Sequence, residues 1–420
     1  MNELIEKDLQ YVWHPFSQKE DDDLMLVADH AKGSKVYTTD GRELIDIVSS
    51  WWVNMHGHSH PYIAEKIYEQ ALRMEHVIFA AFTHNPAVEL SERIVKLTPD
   101  GLDRVFFSDN GSTAVEVALK MAIQLRKIQG YTQVPVLALH NSYHGDTFGA
   151  MALGERGIFT AYHQDMFFDV YYLTVPEDEE GWLAFEAACK ANKGGVFIYE
   201  PLVQGAGGML MYSPETLQKM QQICRNNDIL LIADEVMTGF GRTGKMFASE
   251  YSPISPDFMC LSKGLTGGYM PMSLTLCSNE TYELFKAKKE RVFYHGHSYT
   301  ANPLACAASL ASLDLFEKEK TLEKIALIAE WHTAFSEKLV AQPKVKNIRQ
   351  QGAILAFDII SEEETGYLNS LRRQVLEFFP KNGVLLRPLG NTLYLLPPYS
   401  LTKEEHGFVC DVILRFLNAD

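Results

Sequence analysis

Short apolar runs recur through the middle of the chain: Arg104-Val-Phe-Phe, Val134-Pro-Val-Leu-Ala-Leu, Gly195-Val-Phe-Ile-Tyr, Ile229-Leu-Leu-Ile-Ala and Phe258-Met-Cys-Leu. Each is bounded by polar or glycine-rich turns and followed by apolar residues at helical spacing, which predicts buried strands alternating with helices. That alternation predicts an α/β domain around a largely parallel sheet. Asp109-Asn-Gly-Ser, Asn141-Ser-Tyr-His-Gly-Asp, Glu200-Pro, Asp234-Glu and Ser262-Lys-Gly follow the five runs. Ligands of open α/β sheets bind beyond the carboxyl ends of the strands, so these residues are expected to converge on one crevice.

The pattern changes after about Cys306, with one long helical stretch expected through Leu310 to Leu339 and two short strands at Ala353-Ile-Leu-Ala-Phe-Asp-Ile-Ile and Asn391-Thr-Leu-Tyr-Leu-Leu. Asp40-Gly41 predicts a hairpin turn that lets the N-terminus join this second part. The expected organisation is an N-terminal segment, 1–48, contributing to a small α+β domain, a large domain, 49–308, and the remainder of the small domain, 309–420.

Composition narrows the function. The chain has 420 residues, 46% of them hydrophobic and 22% charged, in the range of globular proteins, and no apolar run approaches membrane-spanning length. A formal charge of −16 argues against nucleic-acid binding. Met1-Asn-Glu-Leu-Ile-Glu-Lys-Asp lacks the basic and apolar regions of a signal peptide, which predicts a cytoplasmic address. Six scattered cysteines with no C-x-x-C pair read as reduced structural thiols. His56-Gly-His58-Ser-His60 and His295-Gly-His297 look like metal ligands, but no neighbouring cysteine or carboxylate completes either set, so no metal is expected.

Three features carry chemistry together. Gly111-Ser112-Thr113 opens a helical pattern, where free amides and small residues admit a phosphate, although an ordinary helix cap reads the same way. Asp234 ends a very apolar strand, where a carboxylate needs a cationic partner or backbone amides. Lys263 leaves another strand end into Gly264-Leu-Thr-Gly-Gly, where apolar surroundings lower an amine's pKa and make it a nucleophile for a Schiff base. Gly239-Phe-Gly-Arg-Thr-Gly-Lys245 matches nucleotide-binding patterns in letters, but Met246 stands where the P-loop needs a hydroxyl, and Arg242 reads better as lining the substrate crevice. Trp51-Trp52 and Tyr143 could stack on a flat ligand, with core packing the expectation for one of the two tryptophans.

In order and over nearly the whole chain, Asp109 to Ser112, Tyr143-His-Gly-Asp146, Glu200-Pro-Leu-Val-Gln-Gly, Asp234-Glu-Val-Met-Thr-Gly-Phe-Gly-Arg-Thr-Gly-Lys and Ser262-Lys-Gly resemble the fold-type I, class III aminotransferases. The resemblance implies a pyridoxal 5'-phosphate (PLP) enzyme in which Lys263 carries the cofactor, Asp234 pairs with its pyridine nitrogen, Gly111 and Ser112 bind its phosphate and Tyr143 lies over its ring. It also implies a homodimer, with the loop His295 to Ser298 reaching the partner's phosphate through His297 and the Ser298 hydroxyl. Phe16, Trp51, Tyr143, Arg242, Lys263, Gly296 and Arg387 are the implied substrate residues. Trp13-His-Pro-Phe16, Ser49-Ser-Trp-Trp52, Arg387-Pro-Leu-Gly and Tyr394-Leu-Leu-Pro-Pro-Tyr resemble members that aminate 8-amino-7-oxononanoate in biotin biosynthesis, with S-adenosylmethionine as donor. Phe16 stands where those members usually have Tyr, and His297-Ser298 where they have Pro-Thr; members with these replacements take their amine from lysine, so both donors stay open. An ω-aminotransferase acting on ornithine, 4-aminobutyrate or a related diamine would share the cofactor residues and is the broader alternative.

Overall fold

The computed structural model describes residues 3–361 and 371–419. The chain divides into two compact units, one built from Pro61–Ala326 with Gln351–Ala353, the other from Met1–His60, Leu327–Gln350 and Ile354–Asp420.

The first unit is organised by a seven-stranded sheet in the order Arg104–Ser108, Ser273–Cys277, Phe258–Leu261, Leu230–Asp234, Val196–Tyr199, Val136–Leu139, Tyr171–Leu173. The five expected strands are all present, and four of them are buried along their whole length, as runs covered on both faces must be. Ser273–Cys277 is the exception to the parallel arrangement, running antiparallel to both of its neighbours. Helix Gly111–Ile128 packs on the sheet through Ala114, Val115, Val117, Ala118 and Ala122. These small side chains let the helix approach closely enough for Thr275 Oγ1 to donate to the carbonyl of Ala114 at 2.8 Å. Beyond Cys306 the expected single helix is two, Pro303–Lys318 and Thr321–Val340. The interruption is Lys320, whose φ of +50° cannot continue a right-handed helix, although the apolar spacing runs on across it.

The second unit holds a four-stranded sheet in the order Ala28–Lys32, Lys35–Thr38, Glu43–Asp46, Val384–Leu385. Gly41, at φ +85°, makes the predicted turn, and Glu43–Asp46 pairs in parallel with Val384–Leu385, so strands from both ends of the chain share one sheet. A three-stranded sheet, Val345–Gln351, Ile354–Ile359 and Thr392–Leu395, contains the two expected C-terminal strands. All six cysteines are free and buried.

Candidate active site

Strand Leu230–Asp234 delivers a carboxylate to its carboxyl end with little exposure. Asp234 Oδ2 lies 2.7 Å from His144 Nδ1, and Oδ1 accepts from the backbone N–H of Val236 at 3.0 Å. The backbone amide of Val236 thus satisfies one oxygen and the His144 ring the other. His144 is buried, and its Nε2 has no hydrogen-bond partner, so the Nδ1 bond to Asp234 fixes the imidazole.

Lys263 follows strand Phe258–Leu261 with a positive φ of +45°, a strained conformation for a lysine. Burial pulls its ammonium down to about 8; Asp234 and Glu200 oppose the shift and Arg242 adds to it. Lys263, Asp234, Glu200 and Arg242 are thus close enough to influence one charge. Arg242 is wholly buried. Its loop, Gly239 to Lys245, turns back on itself, with Gly241 N–H donating to Met246 O at 3.1 Å, and leads into the 3-10 turn Ala248–Tyr251. The long helix that a phosphate-binding loop requires does not follow.

Asn110 caps helix Gly111–Ile128: its side chain accepts from Thr113 N–H at 3.0 Å, and Thr113 Oγ1 accepts from Asn110 N–H at 3.1 Å. Gly111 and Ser112 are therefore the first helical residues, not the cap, and their amides have no acceptor within the helix. The segment Tyr143 to Asp146 closes over this terminus. Asp146 N–H donates to Ser112 Oγ at 3.1 Å and Tyr143 OH to Asp146 Oδ2 at 2.9 Å. Gly145 sits at φ +126°, where a Cβ would lie 1.9 Å from Ser112 Oγ, so only glycine fits.

Glu200 holds the other side of the same segment, accepting from Tyr143 N–H at 3.1 Å and from Gly205 N–H at 2.8 Å. Burial raises its carboxyl to about 7. Tyr143's phenol is pushed well up, first by burial and then by Asp146. The loop His295 to Ser298 makes its contacts on the flank of the helix, with Lys120 Nζ 2.9 Å from His295 Nδ1 and the rings of Phe293 and His295 stacked at 5.7 Å. Gly296 and Ser298 are exposed, and His297 is half-buried.

Phe16, Trp51 and Arg387 meet in the second unit. The rings of Phe16 and Trp51 pack edge to face at 5.5 Å, the Arg387 guanidinium lies over the Trp51 ring at 5.5 Å, and an Arg387 Nη donates to Phe16 O at 3.2 Å. Trp51 is exposed, whereas Trp52 is core and donates from Nε1 to Tyr394 OH at 3.0 Å. The two tryptophans belong to a turn whose backbone has the left-handed sense, with φ of +50°, +44°, +72° and +73° at Ser49, Ser50, Trp51 and Trp52.

Within the first unit, the arrangement joins a primary amine partly neutral near pH 8, a buried carboxylate, an aromatic ring and free helix amides. That set fits a flat, phosphorylated aldehyde cofactor: the amine to bind its carbonyl, the carboxylate to face a ring nitrogen and the amides to hold the phosphate. Sequence reasoning passed over His144 and Glu200 as individual groups. Both lie in segments flagged as strand ends, but their partners are 90 and 57 positions away.

Comparison with known proteins agrees with this chemistry. The family description "Aminotransferase class-III" matches residues 16–417. The adenosylmethionine-8-amino-7-oxononanoate aminotransferase of Synechococcus elongatus is 47% identical over 94% of this chain and 95% of its own, and that of Helicobacter pylori 38% identical over 96% and 94%. The crystal structure of the enzyme of that name from Methanocaldococcus jannaschii superimposes with a TM-score of 0.94 at 32% identity, covering 99% of this chain and 98% of the other. An omega transaminase from Pseudomonas jessenii, solved in complex with PMP, has a TM-score of 0.91 at 27% identity, covering 99% and 97%.

Proposed function

The chain belongs to the class-III aminotransferases and is a PLP-dependent transaminase, and we propose that it transfers an amino group from S-adenosylmethionine to 8-amino-7-oxononanoate, giving 7,8-diaminononanoate in biotin biosynthesis. The observation that carries the reading is that Lys263 follows strand Phe258–Leu261, which pairs in parallel with Leu230–Asp234, so amine and carboxylate stand at the same end of the sheet. The choice of substrates is supported by the names of relatives 32% to 47% identical over nearly the full length.

When bound, PLP supplies an electron sink for negative charge at the substrate carbon. Lys263 Nζ would hold the cofactor and, as a free amine, would be the base for the proton on the amine-bearing carbon. Asp234 would face the pyridine nitrogen, and His144 holds the carboxylate in place. The first amides of the helix, at Gly111 and Ser112, would hold the phosphate, and Tyr143 would cover the ring. Arg387 grips the acceptor's carboxylate through both oxygens, with Phe16 and Trp51 beside it, and Arg242 lines the crevice. The protein works as a cytoplasmic homodimer in which Gly296, His297 and Ser298 serve the partner's site; the exposure of Gly296 and Ser298 supports this.

The test is to mix the PLP-loaded protein separately with S-adenosylmethionine and with lysine, without acceptor, and to follow the visible cofactor band. Bleaching by S-adenosylmethionine, reversed by 8-amino-7-oxononanoate, is the expected result. Bleaching by lysine alone keeps the acceptor and replaces the donor. Failure of 8-amino-7-oxononanoate to restore the band after either donor overturns the acceptor and favours an amine such as ornithine or 4-aminobutyrate.

A further inference from the structure

Ser49 to Trp52 form one turn of left-handed helix: Trp52 N–H donates to Val48 O at 2.9 Å and Val53 N–H to Ser49 O at 3.0 Å, with all four φ values positive and none of the residues glycine. In this sense each Cβ crowds the following carbonyl, so four such residues in a row persist only where their surroundings fix them. Two of the four are fixed by the strand region that ends in Leu396. Ser49 Oγ donates to Leu396 O at 2.6 Å, and Trp52 Nε1 bonds Tyr394 OH.

The middle of the turn is fixed by Asp46. This wholly buried carboxylate accepts from Val48 N–H at 3.1 Å, Ser50 Oγ at 2.7 Å and His58 Nε2 at 2.9 Å. The His58 tautomer follows from its other side. Asn54 Oδ1 accepts from Gly57 N–H at 2.9 Å, which turns the Asn54 amide nitrogen toward His58 Nδ1 at 3.0 Å; Nδ1 is then the acceptor and Nε2 the donor to Asp46. All three partners of Asp46 therefore donate to its two oxygens. The exposed aromatic side chain that this turn presents is Trp51, lying against Phe16 and under the Arg387 guanidinium.

We propose that Asp46 is a positioning residue for the acceptor: by holding the left-handed turn it fixes Trp51 as a platform for Arg387, and so sets the affinity for a carboxylate-bearing substrate. The inference rests on the reading of Trp51 and Arg387 as substrate residues. It predicts a selective effect, because Asp46 bears on Trp51 and Arg387 and not on Lys263.

The test uses the holoenzyme and five variants, Asp46→Asn, Ser50→Ala, Trp51→Ala, Trp51→Phe and the double variant D46N/S50G. Asp46→Asn is expected to raise KM for 8-amino-7-oxononanoate about tenfold and, since either donor also carries a carboxylate, to raise the donor concentration needed for bleaching, while leaving kcat and the cofactor band of the resting holoenzyme unchanged. Ser50→Ala is expected to act in the same direction, more weakly. Glycine has no Cβ to crowd the carbonyl, so D46N/S50G is expected to recover much of the lost affinity, which general weakening of the fold would not do. Acrylamide quenching of Trp51 fluorescence, with Trp51→Phe as the blank, is expected to rise in Asp46→Asn and supplies a readout independent of activity. An acceptor KM unchanged in Asp46→Asn but raised in Trp51→Ala overturns the role of Asp46, as does a fall in kcat without rescue by glycine. An unchanged KM in Trp51→Ala overturns the underlying reading of Trp51, and the role of Asp46 with it.

Discussion

Lys263 is an amine whose charge is costly where it stands, and that cost is useful. A lysine at its ordinary pKa is almost wholly protonated at neutral pH, whereas one held at about 8 has a substantial neutral fraction. Uptake of PLP by the apoprotein is therefore expected to speed up as pH rises toward about 8 and then to level, read from growth of the visible band. Lys263→Ala should lose the band attached to protein and lower turnover by about 10⁴-fold, the upper range for a positioned proton-transfer group. Gly145→Ala places a methyl group against Ser112 in a backbone conformation that alanine resists. A loss of about 1–3 kcal/mol in stability is expected from the backbone alone, together with weaker PLP affinity, measured by denaturation and cofactor titration. Lys263, Asp234 and Gly111-Ser112 were readable from sequence because each sits where a strand ends or a helix begins. His144 was not, because its meaning comes from Asp234 across the fold.

At the level of elements, apolar runs announced five of the seven strands of the central sheet, and missed Ser273–Cys277 and Tyr171–Leu173. Direction was less legible: Ser273-Leu-Thr-Leu-Cys277 carries nothing in its pattern to mark it as antiparallel to both neighbours. The left-handed turn at Ser49–Trp52 was invisible for a related reason. Serine and tryptophan do not signal positive φ, and the conformation is imposed by Asp46, Tyr394 and Leu396. Helix Lys403–Leu417 brings another such contact. His406 Nε2 lies 3.0 Å from His332 Nδ1, beside Trp331 and Phe335, and burial lowers the His406 pKa to about 4, with Lys338 adding to the effect. The unfolded imidazole takes up its proton near 6.5, so the stabilising contribution is present above that pH and is lost as pH falls through 4. The helix should lose about 3 kcal/mol of protection over this interval, a slope that His406→Asn should flatten in hydrogen exchange measured against pH.

Over the whole molecule, the two units should respond to acid in opposite directions. Glu200 is raised to about 7 by burial, so its contribution is fully present below about 4.5 and is lost as pH rises through 7. In the apoprotein, peptides around the central sheet should become less protected by about 3 kcal/mol between pH 4.5 and 7, while those around His406 become more protected. Glu200→Gln should weaken the first trend, leaving the part that comes from Glu235, whose carboxyl burial also raises, and leave the second intact. A single uniform response in peptide-resolved exchange would contradict this assignment. The pairing of Glu43–Asp46 with Val384–Leu385 also has a consequence for synthesis. On the ribosome, the hairpin of Lys35–Thr38 and Glu43–Asp46 emerges long before the strand that completes its sheet. At about 5–20 residues per second, the 266 positions from Pro61 to Ala326 alone take roughly 13 to 50 seconds to translate. Throughout that delay the nascent chain exposes a strand edge open to wrong partners, so chaperones are expected to bind the first 60 residues of ribosome-bound intermediates until the last quarter of the message has been read.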